Sequence, residues 1–489
     1  MTAILLAVLA LQPGTSGDLL FRVLNRFPAC EGVLSGAYAG NGVSFLHRAR
    51  YGSGPFQAVM LMEKDRGEDW GDLVAAGAGY SSDGGSIRSA AGGWLRASLG
   101  SGMVFSHPSG WGEGGPGLDA KPPQFRMLVA PAASAGACDG RPLTGAAATG
   151  VTGGVGFAAL AAYSEIDPSG DGLHRTASEI EARGSVVEKA AAARVEAGPA
   201  GATFACRRAG GDDRIRAGAD FRLQAGPVLL SGEAAVESDS ARTVAWWTSV
   251  SESSEPFRFN GMFFSCPAGY GDDDRCEFPA DSPCDAGCGA AFRWRPAAGW
   301  ISALSLTAST LEGEGSQRGS FYVSWRTGPT LELTTSCRAA SIRGAESWRW
   351  TVGSTMEALR NARIDAEVQL TGAADEETLS GGAVEARLRW DLLRSLSVSV
   401  GAAGFSTQGY AARAYVGELG FPGEFASTSV WGDGFLLQAA AAVDLPGGGG
   451  LKIRASRMVR EGEQSLGSGL EETDGPGRTE IGAQWEMPF

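Results

Sequence analysis

Along much of this chain, apolar and polar residues alternate strictly. In RIRAGADFRLQAG, the residues Ile215, Ala217, Ala219, Phe221, Leu223 and Ala225 fall on one side, and Arg214, Arg216, Asp220, Arg222 and Gln224 on the other. RIDAEVQL sets Ile364, Ala366, Val368 and Leu370 against Arg363, Asp365, Glu367 and Gln369. AVEARLRWD and SLSVSVGA repeat the pattern at Val384, Ala386, Leu388 and Trp390, and at Leu396, Val398, Val400 and Ala402. A period of two marks β-strands with one apolar and one polar face. Many of these segments run ~9–12 residues, the length a tilted strand needs to cross a bilayer. Their polar faces are too charged for a sandwich core. Lipid on one face and a watery lumen on the other accounts for both properties. Backbone groups in lipid must all be paired, so the sheet has to close. The pattern therefore predicts an all-β fold, a transmembrane antiparallel β-barrel of the outer-membrane type.

The connections set the count. Tight turns fall at 151–154, 198–200, 225–227, 295–299, 326–329, 358–361, 391–395 and 446–450, with longer connections between them. Short and long connections alternate in outer-membrane barrels. This parity gives 19 strands from residue 143 onward and three to five before it. We expect 20–24 strands in total, an even number. Residues 18–489 form the barrel, with long outer loops at 107–142, 167–185, 266–289 and 407–433, and a further long connection at 461–477. At this strand number side chains alone cannot fill the interior, so the lumen holds water or is plugged by loops.

The chain ends GRTEIGAQWEMPF, with Ile481, Ala483, Trp485, Met487 and Phe489 alternating to the last residue. This final strand should close the barrel with its aromatic end toward lipid. Ile481, Trp485, Met487 and Phe489 resemble the signal read by the bacterial barrel-assembly machinery. Pro488 departs from the usual pattern and should weaken the last backbone pairing.

Composition changes the picture in three places. The 73 glycines are about twice the usual ~7%. A net charge of −14 argues against wholesale binding of nucleic acid by charge. Only four lysines occur, so the basic charge is almost all arginine. No apolar run reaches the ~20 residues of a transmembrane helix. The longest, AILLAVLAL, makes residues 1–17 either a signal peptide or the remnant of a longer upstream segment.

Three stretches carry candidate chemistry. Cys266, Cys276, Cys284 and Cys288 crowd one predicted outer loop, and two disulfides there are the preferred reading. Their spacing lacks the paired C-x-x-C of zinc ribbons, so no metal is assigned, and Asp272, Asp273 and Asp274 read as a solvated loop tip. In SGDGLHRTASEIEARG, Thr176 and Glu179 form a capping box for a short helix that stops at Gly184. His174, Arg175 and Glu179 could instead gate a pore or hold a ligand. MEKDRGEDWGD brings Glu63, Lys64, Asp65, Arg66 and Glu68 to another outer loop, solvated or forming an ion-pair network at the pore mouth. No G-x-S-x-G, Walker A, G-x-G-x-x-G or H-E-x-x-H motif occurs, and the chain has only three histidines. We expect no enzyme activity and no cofactor.

FRVLNRFP with GAYAGNGVSFLHRARYGSGPFQAVMLMEKDRGE, then LRASLGSGMVF, then GLHRTASE, resembles the barrel region of a bacterial outer-membrane family. Its members often carry periplasmic helix-hairpin-helix (ComEA-like) repeats before the barrel. The resemblance covers roughly residues 18–250, with GLHRT and EKDRGE its most specific parts. The chain departs at Gly93-Trp94 and at Leu99-Gly100-Ser101-Gly102, and it holds no such repeat. The resemblance implies an outer-membrane location in a Gram-negative-type bacterium. The barrel itself points to passage of solute or polymer; the resemblance makes nucleic acid one candidate cargo, with a periplasmic partner supplying the missing domains. The competing expectation is a plugged barrel that binds or scaffolds through its outer loops.

Overall fold

The computed structural model describes residues 15–106, 126–131, 143–167, 173–238, 243–266, 270, 286–311, 314–328, 330–342, 344–359, 361–374, 377–422, 424 and 427–489. Twenty-four antiparallel strands form one closed barrel. Five strands precede residue 143 and nineteen follow it, as the parity of the connections predicted. The first strand begins at Thr15, so residues 15–17 are part of the barrel; residues 1–14, with the whole of AILLAVLAL, lie outside the described residues.

Closure follows the alternating tail. Thr15–Phe27 pairs with Val43–Ser53 on one side and with Gly477–Pro488 on the other. Ile481 and Met487 are exposed on the outer surface. Pro488 does not weaken the seam. Gly17 and Phe489 exchange both backbone hydrogen bonds, at 2.9 and 3.0 Å. The residue next to such a pair points its N–H away from that partner strand. For Pro488 that direction is toward Gly450–Glu461, whose pairing with the last strand already ends at Glu486.

The two faces separate as the pattern required. Phe204, Ile215, Phe221, Val236, Trp246, Phe263, Trp348, Trp390 and Ile453 are exposed on the outside. Arg194, Arg216, Asp220, Glu233, Glu237, Gln369 and Arg454 are buried on the inside. The turns at the end holding the termini are tight. At Gly153 and Gly154, φ values of 56° and 81° reach a backbone region that strains any side chain.

Candidate functional site

The lumen is not an open pipe. Two segments between barrel strands lie inside it: residues 95–106 with 126–131, and the described part of the predicted outer loop 407–433. The first departs from the wall at Gly93, where φ is +84° and an added Cβ would lie 2.4 Å from the Ala76 carbonyl oxygen. Up to Trp94 the strand Ile87–Gly100 pairs with its barrel neighbour Thr144–Thr152. From Leu95 it pairs instead with Arg126–Pro131, and its end also pairs with Phe105–Ser106. Leu95, Leu99, Met103, Val104 and Phe105 are 3% exposed or less. They pack on Ala190, Ala192, Ala205, Ala235, Ala245, Trp247, Met262 and Phe264. Strand parity places those wall residues on the inner face. Small wall residues make room: a Cβ on Gly218 would lie 2.6 Å from Val104. Burying five such side chains stabilises docking by about 10 kcal/mol as an upper estimate. Ser101 adds a backbone hydrogen bond to Glu233 at 3.0 Å, and the Tyr270 hydroxyl donates to the Met103 carbonyl at 2.9 Å. Residues 107–125 and 132–142 lie outside the described residues.

The second insert is the connection between the strands Leu396–Thr407 and Gly432–Asp444. It forms a small hairpin, Ala414–Gly417 with Ser427–Val430. Some apolar contact holds it, through Ala414, Val416 and Val430 against Ala383, Phe405 and Leu436. A set of polar anchors from the wall adds to it. The Gln369 amide accepts from the Tyr415 N–H at 2.7 Å and donates to the Tyr415 carbonyl at 3.3 Å, as a neighbouring strand would. Gln438 does the same with the Leu419 N–H and the Gly417 carbonyl, at 2.6 and 2.7 Å. Glu385 accepts from the Gly417 N–H at 2.7 Å. Glu424 takes ion pairs from Arg22 at 3.3 Å and Arg454 at 3.5 Å.

The residues singled out in GLHRTASE and EKDRGE, about a hundred positions apart, meet at the long-loop end of the barrel. The His174 backbone N–H donates to Glu68 at 2.9 Å. The His174 ring lies between two carboxylates, Nδ1 at 2.7 Å from Asp72 and Nε2 at 2.9 Å from Asp167. A ring donating from both nitrogens is an imidazolium. Burial opposes that charge, but Asp72 and Asp167 outweigh it and raise the His174 pKa above its ordinary value. Burial pushes Glu68 up, against the backbone donors of His174 and Asp65. Asp65 is also pushed up by burial, with Arg175 the main opposing charge.

Glu471, from the loop before the last strand, gathers Arg66, Arg175 at 2.7 Å and the Tyr38 hydroxyl at 2.8 Å. Burial and then Glu471 push the Tyr38 phenol up to about 12. The predicted capping box is present: Thr176 and Glu179 close the N-terminus of the helix Ala177–Ala182, and Gly184 follows at φ +57°. Burial opposes ionisation of Glu179, but the Thr176 and Arg175 N–H groups hold its carboxylate below the usual range. Lys64 is buried and donates to the Val43 carbonyl at 2.7 Å, so it braces the loop. Glu63 faces the lumen, where its charge acts on Arg22. Glu68, Asp72 and His174 could offer three ligand atoms within 4.8 Å of one another. Those atoms are already engaged: both Glu68 oxygens accept backbone N–H groups, and both His174 nitrogens face carboxylates.

The cysteine expectation needs correction. Cys288 is not in a loop; it lies on the strand Ala286–Trp294, exposed on the outer face opposite Phe263. Cys266 packs against the apolar cluster that the insert and the wall form together. Neither forms a disulfide. Cys276, Cys284 and Asp272–Asp274 lie outside the described residues.

Neither a protein-family model nor a curated protein matches the chain. Solved structures are similar in fold. The E. coli P pilus tip assembly intermediate PapC-PapD-PapK-PapG aligns over 97% of this chain and 60% of that one, at 11% identity and a TM-score of 0.47. The chain thus spans about 60% of that neighbour's length. Pseudomonas aeruginosa OccK3 (OpdO) aligns over 97% of this chain and 95% of its own, at 10% identity and a TM-score of 0.35. The FrpB iron transporter from Neisseria meningitidis covers 96% and 82%, at 8% identity and a TM-score of 0.43. The chain is an outer-membrane-type β-barrel.

Proposed function

We propose that this chain is a gated channel of the bacterial outer membrane. Its inserted hairpin is the movable element, and its role is that of a conduit and not a catalyst. The carrying observation is how the hairpin is held: by side-chain amides and ion pairs that water can replace, beside a wall lined with arginine and glutamate. Detachment exchanges protein hydrogen bonds for water, and each such exchange is worth only about 1 kcal/mol net. Outer-membrane lipid surrounds the apolar face, and the barrel-assembly machinery is the partner for its insertion. By its resemblance to the ComEA-like barrel family, DNA is one candidate cargo beside small solutes, with a periplasmic partner handling it.

The test is single-channel conductance of the refolded barrel in a planar bilayer, wild type against a variant with residues 409–430 replaced by a tight turn. A step in unitary conductance on removing the hairpin supports the channel. Silence of both proteins overturns it and favours a second reading, a plugged barrel that binds through its long-loop end. The dry packing of Leu95–Phe105 is the observation that speaks for that alternative.

A further inference from the structure

We infer that the lumen contains a binding site for a small oxyanion, of the carboxylate or phosphate class, between the barrel wall and the inserted hairpin. The inference rests on the hairpin staying docked, and it deepens the channel reading by assigning the site a ligand.

Arg338 on the strand Leu331–Ile342 and Arg349 on the strand Ala345–Leu359 are directly opposite each other on the inner face. Like charges in that position destabilise a sheet unless something neutralises them. The Arg349 guanidinium lies over the Tyr415 ring, 4.0 Å from its centre, and its Nε is buried without a hydrogen-bond partner. Arg413, on the hairpin, donates to the Tyr415 hydroxyl at 3.0 Å. Arg338 and Arg413 are both close enough for their charge to act on Arg349. Among the described residues, no carboxylate lies within ion-pair distance of Arg338, Arg349 or Arg413.

These groups border a cavity of about 300 Å³, lined by Arg338, Arg349, Arg387, Glu367, Glu385 and Tyr415 among others. That is the lower end of the range for ligand pockets. Glu385 is already taken, by Arg387 at 2.7 Å and the Gly417 N–H at 2.7 Å. With the Arg387–Glu385 pair set aside, three guanidinium groups, Arg338, Arg349 and Arg413, border the cavity or its aromatic wall against one carboxylate, Glu367, whose charge also acts on Arg349. Guanidinium forks match carboxylate and phosphate oxygens two at a time, which is the geometry a pair of facing arginines offers. A bound dianion would bridge Arg338 and Arg349 and remove their repulsion. It would also tie the wall to the hairpin through Tyr415 and Arg413.

The test is isothermal titration calorimetry of the full refolded chain in detergent, with inorganic phosphate and separately with succinate as probes, in a buffer free of other oxyanions. Saturable binding of either probe is expected, weakened at least tenfold by Arg338→Gln and by Arg349→Gln. Arg349→Lys, which keeps the charge, should retain part of the affinity. Arg326→Gln should change nothing, because Arg326 pairs with Glu332 outside the cavity. Heat-shifted migration on a cold SDS gel checks that each variant still forms its barrel. Absence of saturable binding by both probes, or binding that both glutamine variants retain, overturns the site. Calorimetry needs no bilayer. A barrel that binds but never conducts would sink the channel and leave the site, and one that conducts without binding would do the reverse.

Discussion

The two lumenal inserts fill the same barrel by opposite means. Leu95–Phe105 is held by fully buried aliphatic and aromatic side chains against a wall of alanines. The hairpin around Tyr415 has a smaller apolar contact, and is held besides by Gln369, Gln438 and Glu385, which reach from the wall to its backbone, and by its own Glu424, which pairs with Arg22 and Arg454 of the wall. Apolar docking into a close-packed site has no partial state, because a gap too small for water forfeits contacts outright. Amide and ionic docking can be lost one bond at a time with water stepping in. The first insert is thus suited to be a fixed obstruction and the second a gate.

The largest effect should come from breaking the first insert. Leu99→Asp places an unpaired carboxylate in a fully buried site, a cost of several kcal/mol. We expect the segment to leave the lumen and unitary conductance to rise severalfold, with new protease cleavage between residues 95 and 131. Unchanged conductance and protection would mean that this segment does not obstruct the pathway.

A smaller effect should follow from Gln369→Ala. It deletes both bonds to Tyr415, for a loss of about 1–3 kcal/mol. The open dwell fraction in single-channel records should rise about tenfold, since 1.4 kcal/mol is one decade. If Gln369→Ala records match wild type, the gate is held elsewhere.

A third prediction concerns pH at the long-loop end, with the sign set by His174. Its folded-state pKa is raised, so its contribution is fully present below the unfolded value of about 6.5 and fades as pH rises through the folded value. Glu68 and Asp65, pushed up by burial, act in the same direction, favouring the cluster at low pH. Limited proteolysis within 167–185 should quicken from pH 5.5 to pH 8.5, and His174→Gln should flatten most of that dependence. A profile that stays steep in the variant would assign the effect to other groups.

The smallest effect is Thr176→Ala. Loss of the cap costs about 1 kcal/mol and should fray only the helix Ala177–Ala182. Hydrogen exchange would rise at Glu179 and Ile180 while both lumenal inserts stay protected. Spread of the change into the inserts would show that the mouth and the lumen are coupled.

How much of this was legible in the sequence divides along the same lines. Period-two alternation is a local property, so the strands, their number and their outward faces could be read directly from segments such as Arg214–Gln224. The capping box at Thr176 and Glu179 is equally local. The fate of the long connections was not legible. A loop that folds inward and one that reaches outward carry the same turn residues, and their parity is identical. One signal was present and missed. KAAAARVEA and GFAALAAYSE put alanine on both faces of their strands, where a water-lined wall would have charge. Alanine on the inner face at Ala190, Ala192, Ala205 and Ala235 marks where something apolar must sit. Cys288 was misplaced for a related reason: without the register, a cysteine at a strand's start reads like one at a loop's end. The meeting of His174 with Asp72 and Asp167, and of Arg349 with Tyr415, depends on loops crossing between strands, which no periodicity encodes.

The seam between Thr15–Phe27 and Gly477–Pro488 bears on how the molecule comes into being. Every other barrel pairing joins strands that neighbour each other along the chain, many through turns of two residues, but this one joins opposite ends of the barrel sequence. Bringing such distant segments together directly from a coil would forfeit about 5 kcal/mol of loop entropy before any contact repaid it. Hairpin-by-hairpin growth avoids that cost and leaves the seam for last. Until then the growing sheet has two raw edges, each a template for a wrong partner. Biogenesis therefore has its point of greatest hazard at its final step, and whatever shields those edges decides the yield of the protein more than the stability of the finished ring.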